Sequence, residues 1–226
     1  MKIKELKQAD PRAFDAAYRE WCEGEGNLDF DWYDATIMGI VEDGKQRGFD
    51  IADRKNERNR SAFYFSGFWS QGDGASWEGS IDLPVWAKWE EVHGSTSFTQ
   101  QQLLWLYAAW DNGIITTDLY VKTRGSYSHS GIMQLDDGVH VYGEYDDVLE
   151  EGIFKGMGTV LFISTFRSLF GGVSWIAEAA LKAARDFADE GYKILEEEYE
   201  YLTSEECFIE CMENDEREFD APEVLA

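Results

Sequence analysis

Proline is scarce in this chain, with three among 226 residues. No Pro- or Ser-rich linker divides it, so a single compact domain over residues 1–220 is expected, with a short acidic tail at 221–226. Cysteine is equally sparse: Cys22, Cys207 and Cys211. An odd count without framework spacing excludes a disulfide scaffold and points to a reducing cytoplasm. Cys207 and Cys211 lie four apart, but no local His or second Cys pair completes a metal set, and they are read as packed thiols. Long apolar runs are missing. The longest, Gly158 to Ser164, is too short to span a bilayer, and Arg167 follows it closely. After Met1–Lys7 no apolar segment of the secretory type appears. Basic residues number 20 against 45 acidic ones, a formal charge of -25. That balance makes naked nucleic acid a poor partner. It would instead draw in a basic protein surface quickly and in a salt-sensitive way.

Aromatic residues are plentiful: nine Trp, 14 Phe and 11 Tyr within 44% hydrophobic content. Such a chain can bury a sizeable core. Asp10-Pro11 reads as a helix start, with Phe14, Ala17, Tyr18 and Trp21 at helical spacing over residues 11–22. A second helix is expected over 32–47, with Trp32, Ala35, Ile37, Ile40 and Val41 inward and Gly48 closing it. Residues 53–60 read as an exposed charged turn. An aromatic strand at 61–69 is expected to pair with 75–83. A helix follows at 99–111, then strands at 115–123, 127–135 and 138–145, with Asp136-Asp137-Gly138 as the hairpin signal. Residues 148–172 stay open between helix and strand. From Val173 the pattern is helical, and Thr203-Ser204-Glu205-Glu206 caps a last helix to about Asn214. Helices, then strands, then helices imply an α+β fold: an antiparallel sheet of about five strands packed with N- and C-terminal helices.

The densest chemistry lies between Phe65 and Trp77, where two aromatic runs flank Gly72-Asp73-Gly74. Trp69, Gln71, Asp73 and Trp77 are candidates for ligand or partner contact, the two tryptophans as stacking walls. The plainer account is that Asp between glycines forms a turn through its own backbone. Tyr127 and His129, in Tyr127-Ser128-His129-Ser130, complete the candidate set. If the two hairpins are neighbours, His129 and Asp73 could form an acid–base pair; a hydrogen-bonded structural histidine is the competing reading. No zinc pattern, P-loop, dinucleotide fingerprint or nucleophile elbow is present, so no cofactor, metal or catalytic residue is expected.

The segment from Phe65 to Gly79 resembles a motif of bacteriophage and prophage proteins, Ser-Gly-Phe-aromatic-Ser-Gln-Gly-Asp-Gly-Ala-Ser-aromatic-x-Gly. Gly125 to Ser130 and Glu198 to Glu206 are similar to further pieces of those proteins, and the likeness extends to Phe219. The resemblance implies a phage-encoded protein made in the host bacterial cytoplasm, and it assigns no activity.

From Asp186 to Ala226 there are 16 acidic residues against Lys193 and Arg217, a formal -14. Glu196, Glu197, Glu198, Glu200, Glu205, Glu206, Glu210 and Glu213 are expected on two successive helices. Carboxylates so spaced approach the charge density of duplex DNA, about one charge per 1.7 Å. A solvated acidic face that merely confers solubility is the bland alternative. The expected function is non-enzymatic inhibition of a host nucleic-acid-binding defence complex, of the anti-CRISPR or anti-restriction type, through a DNA-mimic-like surface. The alternatives are a nucleotide-like ligand pocket or hydrolase around the Gly-Asp-Gly turn, and a homo-oligomer built on exposed aromatics.

Overall fold

The structure is a computed structural model of the chain. It describes residues 1–24, 32–54, 61–94, 97–125, 128–141, 149, 154–171 and 174–220. Eight helices and six strands occur among these residues. The α+β architecture, with antiparallel strands between N- and C-terminal helices, is as the sequence implied. The chain separates into two compact units, Met1–Thr36 with Lys193–Ala226, and Ile37–Tyr192.

In the first unit, α1 (Ile3–Ala9) and α2 (Pro11–Glu23) meet α8 (Glu205–Asn214), and Tyr18 donates its hydroxyl to the Thr203 carbonyl just past the end of α7 (Ser174–Leu202). Asp10 caps α2, its side chain accepting from the Ala13 amide, with Pro11 in the first turn. Ser204 caps α8 by accepting from the Cys207 amide. Ile3, Leu6, Phe14, Phe208 and Met212 form the core here. The Phe208 ring lies 5.4–5.6 Å from those of Phe14, Tyr18 and Trp21.

The second unit holds the strands. A four-stranded antiparallel sheet runs β1-β4-β5-β6, and β2 pairs with β3 in a separate two-stranded sheet. The members are β1 (Phe49–Ile51), β2 (Phe63–Phe65), β3 (Ala75–Trp77), β4 (Gly79–Ile81), β5 (Ile115–Thr123) and β6 (Met133–Val141). The strand expected over 75–83 therefore divides: 75–77 pairs with β2, and 79–81 turns to β1 and β5. Gly79 permits the switch, since a Cβ there would lie 2.1 Å from the Asp50 carbonyl oxygen. Trp77, Phe49 and Phe187 of α7 pack with centroids 5.2–6.3 Å apart.

Other expectations are corrected or completed. The hairpin at Asp136-Asp137-Gly138 does not exist; 133–141 is one strand, and the reversal from β5 lies in 124–132. Asp136 forms a cross-strand ion pair with Lys122. Gly138 faces Asp118, whose Cβ would be 3.1 Å from a Cβ placed there. Turn-type residues are here answered by the neighbouring strand. The helix expected from 32 is α3 (Asp34–Gln46), with Ile40 buried but Ala35 exposed. Residues 84–93, given no element from sequence, form with Leu83 the helix α4 (Leu83–His93), capped by the Asp82 side chain and followed by left-handed Gly94. The open stretch contains α6 (Thr159–Phe170), whose Phe162, Phe166 and Phe170 recur every four residues and are buried. They continue from Trp105 of α5 (Gln100–Asp111) toward Trp175. Of the exposed turn expected over 53–60, residues 55–60 fall outside the described residues, as does the tail at 221–226, while Asp53 is bridged to Ser61.

Candidate functional site

The loop between β2 and β3 is built as a rigid corner. Ser66 donates its amide to the Gly74 carbonyl at 3.1 Å, and Asp73 donates its own to Ser70 at 3.1 Å. The Asp73 carboxylate accepts the Ser70 amide in return. Its polar capacity is thus turned inward on the loop, as the turn-forming reading required. Tyr192 of α7 donates its hydroxyl to the Gly67 carbonyl at 2.9 Å. The Phe68 ring lies 5.9 Å from Phe65 and 5.5 Å from Tyr192. Gly72 is left-handed at φ 101°.

The two motif segments do meet, through Gly74 and His129. A Cβ on Gly74 would lie 2.7 Å from the His129 Cβ, so the glycine is what admits the histidine. His129 Nδ1 accepts the Gly131 amide at 3.0 Å, which leaves the neutral ring's proton on Nε2. No hydrogen bond or ion pair joins Asp73 to His129 among the described residues. The imidazole acts as the cap of the 3-10 turn Ser130–Ile132.

Trp77 is not a stacking wall. It is fully buried, and its Nε1 donates to the Ala184 carbonyl at 3.0 Å. It stands opposite buried Phe63, in a strand whose three residues are all buried. Trp69 is the opposite case, 76% exposed at the loop tip beside exposed Gln71. Tyr127 lies outside the described residues. Reasoning from sequence missed two supports of this corner. One is Tyr192, for which no local signal existed. The other is Glu78, whose carboxylate accepts both the amide and the hydroxyl of Thr123, at 3.1 and 2.8 Å. Among the described residues no group of three or more His, Cys, Asp or Glu is arranged to hold a metal ion.

The acidic candidates lie on α7 beyond residue 192 and on α8, within the first unit. Glu205 pairs with Lys7, and Glu213 with Lys4 at 2.9 Å. Glu210 accepts the Tyr201 hydroxyl at 2.8 Å. That bond and the Glu210 charge come first among the causes that push the Tyr201 pKa up to about 12, and Glu206 adds to them. Glu196, Glu197, Glu198, Glu200 and Glu206 have no ion pair with a described Lys or Arg. Glu206, Glu210 and Glu213 follow at spacings of four and three and share one face of α8. On α7 Glu196 and Glu197 each share a face with Glu200, at spacings of four and three, while Glu198 points elsewhere. The eight carboxylates are therefore concentrated but do not form a single row.

Fold and site describe an α+β protein whose most distinctive motif is a structural corner with one exposed aromatic tip, accompanied by an acid-rich helical unit. The chain belongs to the family described as Domain of unknown function (DUF8835), whose model matches residues 32–205. The match contains the motif corner and the acidic end of α7. No curated protein and no solved structure matches the chain.

Proposed function

We propose that this protein is a phage-encoded, non-enzymatic inhibitor that acts in the host cytoplasm on a basic, nucleic-acid-handling complex. The observation that carries this reading is the partition of charge. Residues 1–36 and 193–226 hold 22 of the 45 acidic residues but only 7 of the 20 basic ones, a formal -15. Among the described residues, Glu196, Glu197, Glu198, Glu200 and Glu206 have no ion pair with a Lys or Arg. Carboxylates gathered without counter-charges repel one another, and a cationic partner turns that repulsion into attraction. The motif resemblance supplies the phage setting.

Association should weaken by about tenfold or more when salt is raised and screening tightens. Glu197→Lys, Glu198→Lys and Glu200→Lys together should abolish capture of the target from host lysate. Capture unchanged by this triple variant, or insensitive to salt, removes the proposal.

A second reading is favoured by the 76% exposure of Trp69. A nucleotide-like ligand stacking on that ring, with Gln71 and His129 Nε2 as polar contacts, would raise the melting temperature of the wild type but not of Trp69→Ala. The acidic residues would be dispensable to it.

A further inference from the structure

Strand β5 outruns one of its neighbours. It pairs with β6 over its full length, Ile115 to Thr123, but with β4 only from Leu119 to Val121. At Asp82 the chain leaves the sheet, and α4 carries Leu83 and Pro84 away from β5. Among the described residues, positions 115–118 of β5 therefore have a strand on one side only. Which backbone groups face the open side follows from the alternation of the strand. The Thr123 amide donates to the Glu78 carboxylate, just before β4, and the Arg124 amide to the Ile132 carbonyl, just before β6. Odd-numbered residues of β5 accordingly direct N–H and C=O toward β4. Ile115 and Thr117 direct theirs into the space that β4 has left, where no described residue bonds to them.

That space is an open slot of about 400 Å³, with Leu83, Pro84 and Trp110 as its apolar walls. Its lining contains two carboxylates, Asp82 and Asp118, and no Lys, Arg or His. Both carboxylates are exposed. One Asp82 oxygen accepts the Val85 amide at 3.1 Å. Asp118 has no hydrogen bond or ion pair to its side chain among the described residues. Gly138 stands opposite it and offers no side chain, and Lys122, on the same face of β5, is taken by Asp136. The slot combines strand-pairing groups that an extended backbone satisfies with negative charge that selects cations.

We propose that this slot takes up an extended basic segment of a partner protein, which adds to β5 where β4 departs. A segment antiparallel to β5 exchanges N–H···O bonds with Ile115 and Thr117. Its residues opposite these two share their inward face, the face of buried Ile115, and are apolar. Its residue opposite Asp118 points outward, where a lysine or arginine meets the unpaired carboxylate. The segment is recognised as cationic and apolar residues in alternation. Every residue of the slot belongs to the Ile37–Tyr192 unit. The contact does not involve the acid-rich helices and stands without the function proposed for them.

Calorimetric titration of the whole chain with a short capped peptide of alternating lysine and valine tests the assignment. The peptide should bind one to one, and a glutamate–valine peptide should not. Methylating the valine amide nitrogens should abolish binding, because those N–H groups donate to β5. Methylating the lysine amide nitrogens should leave binding in place, because those point away from β5. Asp118→Asn combined with Asp82→Asn, which keeps the helix cap, should raise the dissociation constant about tenfold or more. Thr117→Pro removes a donor that faces the slot and spares every bond to β6, so it should abolish binding with circular dichroism unchanged. The methylated peptides need no change in the protein, so they decide the matter even if Thr117→Pro unfolds. A wild type that does not bind the lysine–valine peptide overturns the proposal. So does equal binding of the two methylated peptides, of the glutamate–valine peptide, or by the double asparagine variant. A wild type that sediments as a dimer and becomes monomeric on Thr117→Pro also overturns it, since a second copy then fills the slot.

Discussion

Gly74 shows why single residues in the motif had to be seen in place. Its φ of 159° is a backbone conformation that L side chains rarely adopt, and a Cβ there would also lie 2.7 Å from the His129 Cβ. Gly74→Ala should cost about 2 kcal/mol or more in urea unfolding, by driving His129 out of its place. Trp69→Ala, three-quarters exposed already, should change stability by about 0.5 kcal/mol or less. A reversal of that order would mean that the corner is not assembled as described. Two tryptophans eight residues apart carried equal weight in the sequence. Alternation could not have told them apart, because Ala75, Ser76 and Trp77 of β3 are all buried, by partners distant in sequence. Tyr201 offers a probe of the acidic field. Its hydroxyl should ionise near pH 12 rather than 10, read by absorbance near 295 nm, and Glu210→Gln should bring it back toward the ordinary value. Since the folded pKa is raised, any stability this group contributes is intact below pH 10 and is lost as pH climbs through 12.

At the scale of elements, legibility followed locality. Helices α2 and α8 were readable because their caps, Asp10 with Pro11 and Ser204, are local chemical signals. Strand β5 was readable from its bounded run of β-branched residues. Strand β6 was not, because a turn triplet lost to cross-strand contacts that no local window contains. Helix α4 was missed although Asp82 and Pro84 spell the same start as Asp10 and Pro11. Apolar residues on both of its faces blur the period that normally marks an amphipathic helix. Asp82→Ala should destabilise the protein by about 1 kcal/mol through loss of the bond from the Val85 amide, at 3.1 Å. No measurable loss in urea unfolding would show that the cap is dispensable.

For the molecule as a whole, composition set the class correctly, and charge did not reveal its own distribution. A net of -25 is the same number whether the acids are spread or gathered. The chain gathers them by folding two distant segments into one unit. Self-repulsion there should make stability rise with ionic strength. The melting temperature should climb between about 0.01 M and 1 M salt, as the screening length shrinks from about 30 Å to about 3 Å. A flat or falling profile would mean that the carboxylates are too far apart to matter.

The composite make-up of that unit also sets an order of events during synthesis. Phe14 and Leu6 wait for Phe208 and Met212, which leave the ribosome only after the whole Ile37–Tyr192 unit has been translated. Until then α1 and α2 are exposed amphipathic segments without a docking surface, open to chaperones and proteases. A stretch translated late is what shelters one translated early.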